Sequence, residues 1–314
     1  MSLKLDAWLQ PMAREYLADF IPAGGAAMRF VVVDDADLPA LCAGLSAAAE
    51  DAGLPMVQLD TANTRLHMLQ FVFFAIARAV DWDAQSQTRL ETLLGDAGYV
   101  WPEPGKRMSL VALAQANGVA APLLRTSLHQ HITRTVWHDR GLAQDFRKAM
   151  SALLVARLED DQDTLRDGVL DWLRGDLRNL KAVRGAAIGA RIGRHNARAM
   201  LVSLFHWLRG CGHQGMVVLL DLNRLLRERR EIADGLVYTP AAVMDCYEVL
   251  RQIIDDCEHY EGLFLVARAD RRLINDEAPK RALSQYTALK MRVWDDVRPS
   301  GRDNPLAPLV VLAP

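Results

Sequence analysis

The sequence has few cysteines and no paired cysteine motif. Its four cysteines lie far apart and form no CxxC pair: Cys42, Cys211, Cys246 and Cys257. A disulfide framework or a zinc site needs closely grouped cysteines, so this spacing argues against both. We therefore expect reduced thiols, no metal site and a cytoplasmic protein.

The sequence also lacks a long apolar segment and a strong excess of charge. No run approaches the roughly 18 apolar residues that span a bilayer, and residues 1–20 lack the basic start and apolar core of a signal peptide. The formal net charge is −2 and 51% of the residues are hydrophobic. We expect a globular protein without a membrane partner, and not a protein that is basic overall as a nucleic-acid coat is.

Strand and helix patterns alternate near both ends of the chain. Short apolar runs predict buried strands: MRFVVVDD at 28–35, PMVQLDT at 55–61, GMVVLLD at 215–221 and GLFLVAR at 262–268. Helical patterns at 38–51, 64–81 and 240–258 separate them, which is typical of an α/β protein with a mainly parallel sheet. The predicted segments are 1–84 and 211–314, as two parts of the α/β core, and 85–210, as a helical insertion or subdomain.

The turn after the first buried strand lacks the residues of a phosphate-binding loop. Such a loop needs glycines that turn backbone N–H groups toward the phosphates, a lysine for their charge and a hydroxyl for magnesium. Here residues 33–40 read VDDADLPA, without glycine, lysine, serine or threonine. A second strand ending in an aspartate completes this kind of site, and the strand at 215–221 does end in Asp221.

Four stretches together carry a resemblance to a known family. They are the helix leading into Ile21 and the Gly24-Gly25 pair, RFVVVDD at 29–35, GRHNARAMLVSLFHWLRGCGHQGMVVLLD at 193–221, and YTALKMRV at 286–293. In this order they resemble the BREX-system ATP-binding (P-loop) proteins of bacterial anti-phage defence. The resemblance spans most of the chain with moderately specific motifs. It implies a P-loop NTPase-like fold of the AAA/ASCE type with a large helical insertion.

Aligned on the first strand, the resemblance implies that both Walker motifs are degenerate. In the Walker A loop, which includes Asp34, the family's glycines, lysine and hydroxyl residue are replaced by Val33, Ala36, Leu38, Pro39 and Ala40. In the Walker B motif, Leu222 follows Asp221 where the family has a glutamate that polarises water. Three aspartates in the turn, at 34, 35 and 37, would each repel a nucleotide by about 1 kcal/mol or more.

A local interpretation of these residues stays open. Any α/β protein has a turn from strand to helix, in which Asp37 would be the helix N-cap and Pro39 would lie in the first turn. Asp221 would then be a strand-end aspartate that caps or pairs with a neighbour. The missing lysine and glycines favour that role over magnesium binding.

A second candidate site is a group of basic residues between 174 and 198. Its members are Arg174, Arg178, Lys181, Arg184, Arg191, Arg194 and Arg198, with Asp176 as the one acidic residue among them. The spacing of the first four predicts one face of a helix, and such a stripe could contact the phosphates of a nucleic acid or of a nucleotide. The alternative is a solvated face that pairs with acidic residues such as those at 159–163.

Three hypotheses of function follow. The first is a catalytically dead ATPase-like subunit, without a cofactor, that acts in assembly or regulation of a defence complex. Its partners would be an intact ATPase relative, a helicase or a nuclease, with DNA and oligomer formation left open, and Arg292 could enter a neighbour's site in trans. The second is an active ATPase that binds ATP and magnesium through a rearranged loop, and the third is a nucleic-acid-binding module that uses the basic stripe.

Overall fold

The structure is a computed structural model that describes residues 3–159, 162–275, 280–294 and 304–313. The chain forms two compact units, Met1–Val72 with His213–Pro314, and Phe73–Gly212. We call them the sheet unit and the helical unit. The three segments predicted from the sequence, with boundaries at 85 and 210, stay a prediction.

Six strands form one parallel sheet in the sheet unit. They are β1 Leu3–Lys4, β2 Ala27–Val32, β3 Met56–Asp60, β4 Met216–Asp221, β5 Leu263–Ala269 and β6 Leu309–Ala313. Their order across the sheet is β1-β6-β2-β5-β4-β3, and all of the described strand pairs are parallel. The prediction of an α/β fold with a mainly parallel sheet is confirmed.

Helices form most of the rest of the described chain. The α-helices are α1 Leu5–Pro11, α2 Leu38–Asp51, α3 Leu69–Ala79, α4 Trp82–Asp96, α5 Leu110–Ala116, α6 Ala121–Ile132, α7 Gln144–Leu158, α8 Asp163–Arg174, α9 Ala197–Gly210, α10 Asn223–Leu226, α11 Pro240–Asp255 and α12 Thr287–Val293. Two π-helical segments, Met12–Phe20 and Thr133–Trp137, continue α1 and α6. The 3₁₀ segments are Leu180–Ala186, Arg229–Glu231, Cys257–His259, Arg271–Leu273 and Leu283–Gln285.

Helix α2 begins and ends at the predicted residues 38 and 51. The helix predicted at 64–81 is shorter, because residues 61–68 form turns before α3 begins at Leu69. The sequence near the C-terminal end also predicts a helix at about 278–292; α12 begins at Thr287, and residues 278 and 279 lie outside the described residues. None of the described helices is long and apolar enough to cross a bilayer.

The central strands are buried because both faces of the sheet are covered. Every residue of β5 is buried, and β4 is buried up to its final residue, Asp221. The sheet packs on a core that includes Trp8, Leu17, Leu41 and Phe264. Parallel strands all end at the same edge of the sheet, so the residues that follow β2, β4 and β5 are neighbours there.

The helical unit has its own core of large side chains. Trp82 and Phe146 have ring centroids 6.5 Å apart, and Leu154, Trp172 and Phe205 are also buried. Burial of this much aromatic and aliphatic surface is what stabilises a helical unit of this size.

Candidate functional site

The turn after β2 is a compact strand-to-helix turn without left-handed backbone. The N–H of Val33 donates to the carbonyl oxygen of Ala269 at 2.8 Å, and the N–H of Asp37 donates to that of Asp34 at 3.1 Å. Apart from glycine, only Ala187 among the described residues has a positive φ. The turn therefore lacks the glycine-type backbone that lets a phosphate loop direct several N–H groups to one point.

The local interpretation of this turn is correct in where it places Asp37 and Pro39, and wrong in expecting the Asp37 side chain to cap the helix. Asp37 is the N-cap residue of α2 and Pro39 lies in its first turn. The Asp37 side chain makes no capping hydrogen bond, however, and its backbone is already helical, with φ −97° and ψ −4°. Capping by a side chain requires an extended N-cap backbone, which Asp37 does not have.

The edge of the sheet is organised by a buried arginine that the sequence analysis did not select. Arg268 lies next to the end of β5, its side chain is 0% exposed, and it pairs in register with Asp221 of β4. Its Nη1 donates to both carboxylate oxygens of Asp221, at 3.2 and 3.1 Å. Its Nη2 donates to the carbonyl oxygen of Val33 at 3.0 Å and to Oδ1 of Asp35 at 2.7 Å. One guanidinium therefore links the ends of β2, β4 and β5.

Two further residues complete this arrangement. Asn223 donates its backbone N–H to Asp221 Oδ1 at 2.9 Å and its side-chain amide to Asp35 Oδ1 at 2.5 Å. Arg227 donates to Asp35 Oδ2 at 3.0 Å. We call Asp35, Asp221, Asn223, Arg227 and Arg268 the arginine–aspartate cluster. Its two arginines and two aspartates balance in charge.

The surroundings shift the two carboxyl groups in opposite directions. Burial raises the pKa of Asp221, and the Asn223 N–H and Arg268 oppose that rise. Burial also acts to raise the pKa of Asp35, but the hydrogen bond and charge of Arg268, helped by Arg227 and Asn223, hold it below its ordinary value. Arg268 and Asp221 form a buried pair. Removing one of the two would strongly destabilise the protein, because the other charge would remain buried without compensation.

Asp35, one of the three aspartates of the turn, is more than half exposed and is paired with Arg227 and Arg268. Asp34 lies 3.7 Å from Arg271, a distance that gives a weak ion pair at an exposed site. Of the other aligned positions, Leu222 is fully buried, and Ala36 and Ala40 are exposed. Leu38 is the first residue of α2.

Asp221 is thus a strand-end aspartate that pairs with a neighbour. Its carboxylate oxygens accept from Arg268 and Asn223, and its carbonyl oxygen accepts from the Thr61 hydroxyl at 2.8 Å. A magnesium ion at Asp221 would have to displace the guanidinium of Arg268. Among the described residues there is no group of three or more His, Cys, Asp or Glu side chains arranged to hold a metal ion.

A signal for Arg268 was present in the sequence. The run GLFLVAR is apolar until its last residue, and an arginine there has to find acceptors at the sheet edge. Its partner, Asp221, ends the other buried strand of the C-terminal part. What the sequence does not give is the order of the strands, which makes β4 and β5 neighbours.

Arg292 lies in α12 and is paired within the chain. Its Nη2 donates to Asp255 Oδ2 at 2.9 Å, its Nε also contacts that carboxylate, and its Nη1 donates to the Ala288 carbonyl at 2.6 Å. The hydrogen bond from Arg292 holds the pKa of Asp255 below its ordinary value. About a third of the Arg292 side chain is exposed.

The first four basic residues, Arg174, Arg178, Lys181 and Arg184, do not share one helix face, so that expectation is wrong. Helix α8 ends at Arg174 and Gly175 follows in a left-handed conformation, with φ 79°. Arg178 lies in the next loop, and Lys181 and Arg184 lie in the 3₁₀ segment Leu180–Ala186. Of the rest, Arg191 and Arg194 lie in a further loop, and Arg198 is in α9. A glycine C-cap stops the helix that the spacing alone would continue.

Most of these basic residues are nevertheless exposed on the helical unit. All of them are exposed except Arg174, which is partly buried. Between them, Val183, Ile188 and Ile192 are buried, and the Trp172 indole donates to the Ala190 carbonyl at 2.8 Å. The acidic residue of the stretch, Asp176, pairs with Arg78 at 2.8 Å. Of the acidic residues at 159–163, Glu159 pairs with Arg125 at 3.3 Å and not with one of these basic residues.

Fold and site together define an α/β protein whose parallel sheet carries a paired aspartate and arginine at the edge where its strands end. Residues 112–314 match the family described as BREX system ATP-binding protein BrxC/D. The chain belongs to this family, as the resemblance indicated. The match includes Asp221, Arg268, Arg292 and the basic residues, while the turn at 33–40 lies outside it. No curated protein and no solved structure matches the chain.

Proposed function

We propose that this chain is a P-loop NTPase-like subunit that does not hydrolyse ATP and acts in assembly or regulation of an anti-phage defence complex. Membership of the BREX ATP-binding family implies a role in a defence system with protein partners. The sheet order supports the AAA/ASCE-type class, in which one strand separates the strand before the phosphate loop from the strand that ends in the magnesium-binding aspartate. Here β5 lies between β2 and β4.

The observation that carries the proposal is the contact of Arg268 with both halves of the expected nucleotide site. Its guanidinium binds Asp221, the aligned Walker B residue, and the carbonyl of Val33, the first position of the aligned Walker A loop. A fixed positive charge thus stands between these two elements, where an active site would hold magnesium and the terminal phosphates. The Pro39 and Leu222 replacements remove the lysine and the water-polarising glutamate as well.

A calorimetric titration with ATP and magnesium tests this proposal, together with a thermal melt at the same ligand concentrations. A ligand that binds only the folded state must raise the melting temperature. We expect no saturable heat, no shift at millimolar ATP and no phosphate release. Saturable binding that is lost in Asp221→Asn would instead support an ATPase with a rearranged loop that uses ATP and magnesium.

The partner role can be tested through Arg292. We propose that Arg292 leaves Asp255 and enters the nucleotide site of an intact ATPase relative. Arg292→Ala should then lower the partner's ATPase rate at least tenfold in a reconstituted mixture. Arg251→Ala is the matched control, because Arg251 contacts the same Asp255 carboxylate. An equal rate with wild type and Arg292→Ala would refute this role.

A second candidate function is nucleic-acid binding through the basic residues of the helical unit. It is favoured by the exposure of these residues and by the pairing of Asp176 with Arg78. Arg178→Gln with Arg184→Gln should reduce the salt dependence of DNA binding by about one unit for each lost phosphate contact. Arg134→Gln with Arg140→Gln is the control, since these arginines are exposed on the same unit. Equal salt slopes would exclude the proposed surface.

A further inference from the structure

The sheet unit contains a cavity of about 530 Å³ at the edge of the sheet where the strands begin. Its walls include the π-helical residues Tyr16 and Phe20, Ala26 with the first three residues of β2, Cys257 and the end of α12. This edge is opposite to the arginine–aspartate cluster, because β2 runs from Ala27 at one edge to Val32 at the other. The cavity is therefore distinct from the aligned nucleotide site.

Arg29 places a half-buried positive charge in the cavity wall. Its guanidinium carbon lies 4.5 Å from the centre of the Tyr16 ring. Its Nη1 donates to the Met28 carbonyl at 2.8 Å, and its Nη2 contacts the Tyr16 hydroxyl. The Nε of Arg29 is buried and has no hydrogen-bond partner. No carboxylate of the described residues forms an ion pair with it.

The other charged groups around the cavity already have partners or face solvent. Arg292 is paired with Asp255, Glu15 with Arg14 at 2.7 Å, and Asp19 is an exposed residue. Arg29 is thus a half-buried charge at the cavity without an ion-pair partner among the described residues. A half-buried guanidinium without an ion-pair partner is stabilised by an anionic acceptor.

The Gly24-Gly25 pair, which is one of the stretches that carry the family resemblance, lies beside this cavity. Gly24 has φ 99°, a left-handed backbone that favours glycine. A Cβ on Gly25 would lie 2.5 Å from the Phe20 ring, so only glycine lets that ring pack on the backbone beside the cavity. Arg292, from the closing motif YTALKMRV, lines the same cavity. The ring that packs on the glycine pair and the closing motif therefore line the same cavity.

We propose that this cavity binds a small organic anion, a carboxylate or phosphate carried on an aromatic body. The anion pairs with Arg29, and the aromatic body packs against Tyr16, Phe20 and Val293. The volume is in the range of pockets that hold small organic ligands. The proposal does not depend on the state of the nucleotide site.

Calorimetric titration with phenyl phosphate and with benzoate tests the proposal and separates the two anion types. We expect saturable binding of at least one of them, with inorganic phosphate and benzyl alcohol binding at least tenfold more weakly. Arg29→Gln should weaken the binding by about tenfold or more, since a charge-assisted hydrogen bond is lost. Arg229→Gln should leave it unchanged, because Arg229 is an exposed residue of the sheet unit that does not line the cavity.

Alkylation of the wild-type protein gives a second test that does not depend on the folding of a variant. Cys257 lines the cavity, whereas Cys42 lies in α2 and does not, and both thiols are partly exposed. The probe that binds should slow the reaction of Cys257 with N-ethylmaleimide at least threefold and leave the rate at Cys42 unchanged. No saturable binding of either probe, or equal effects on the two thiols, would overturn the proposal.

Discussion

Replacing Arg268 by methionine tests the arginine–aspartate cluster most directly. Methionine keeps much of the length and apolar stem of arginine but removes the guanidinium. Four hydrogen bonds are lost, two of them to Asp221 and one each to Val33 and Asp35. Asp221 then keeps its burial and loses its positive partner, so its charged form becomes costly. Breaking a buried pair in this way costs about 3–5 kcal/mol.

The loss of stability in Arg268→Met should depend on pH, and the pKa of Asp221 decides in which direction. Burial already raises the pKa of Asp221, and loss of Arg268 raises it further. A carboxyl group whose pKa is higher in the folded state contributes stability below its unfolded pKa, and this is lost as the pH rises through the folded pKa. The destabilisation by Arg268→Met should therefore be larger at pH 7 than at pH 4.5. At pH 7 it should lower the melting temperature by about 10 °C.

Chemical denaturation at both pH values measures this loss, and a double-mutant cycle with Asp221→Asn assigns it. The double variant removes both charges, so it should recover a large part of the stability that Arg268→Met loses. Arg14→Met is the control for loss of an exposed arginine. A loss below about 1 kcal/mol at pH 7, or a loss that is equal at the two pH values, would refute the role of Arg268 as a buried counter-charge.

Three further changes test other parts of the sheet unit. Gly25→Ala should lower the free energy of unfolding by about 1–3 kcal/mol, because the new methyl group would overlap the Phe20 ring; an unchanged denaturation midpoint would contradict this. Tyr238→Phe should cost about 1–2 kcal/mol, because the Tyr238 hydroxyl donates to the Thr64 carbonyl at 2.6 Å, and wild-type stability in urea would argue against that bond. Hydrogen bonds from a neighbouring arginine and other donors lower the pKa of Glu248 to about 2. Its contribution should be present above its unfolded pKa of 4.5 and be lost between pH 4.5 and 2, so Glu248→Gln should lower the melting temperature at pH 7 but not at pH 2.

Much of the fold could be predicted because it depends on local pattern. The apolar runs at 215–221 and 262–268 identified β4 and β5 to within one residue. Helix α2 was predicted at its true ends, since Asp37 and Pro39 begin it and Gly53 follows it. Predictions from helical spacing failed where a break was not recognised. Gly175 ends α8, so the basic residues after it continue in loops and a 3₁₀ segment.

Part of the candidate site could be predicted, because the sequence shows which residues of a phosphate-binding loop are absent. The sequence alone determined that the turn at 33–40 has no lysine or glycine for phosphate, and that Leu222 follows Asp221. It also determined the α/β class, because buried parallel strands require apolar runs. These properties need no knowledge of distant contacts.

Only the tertiary structure decided what occupies the edge of the sheet. Strand order makes Asp221 and Arg268 neighbours and brings Asp35, more than 200 residues away in the chain, to the same guanidinium. The length of β2 separates that edge from the cavity at Arg29. Such contacts depend on which strands pair, and strand pairing is set by the packing of the whole sheet and its helices, which no short stretch of sequence specifies.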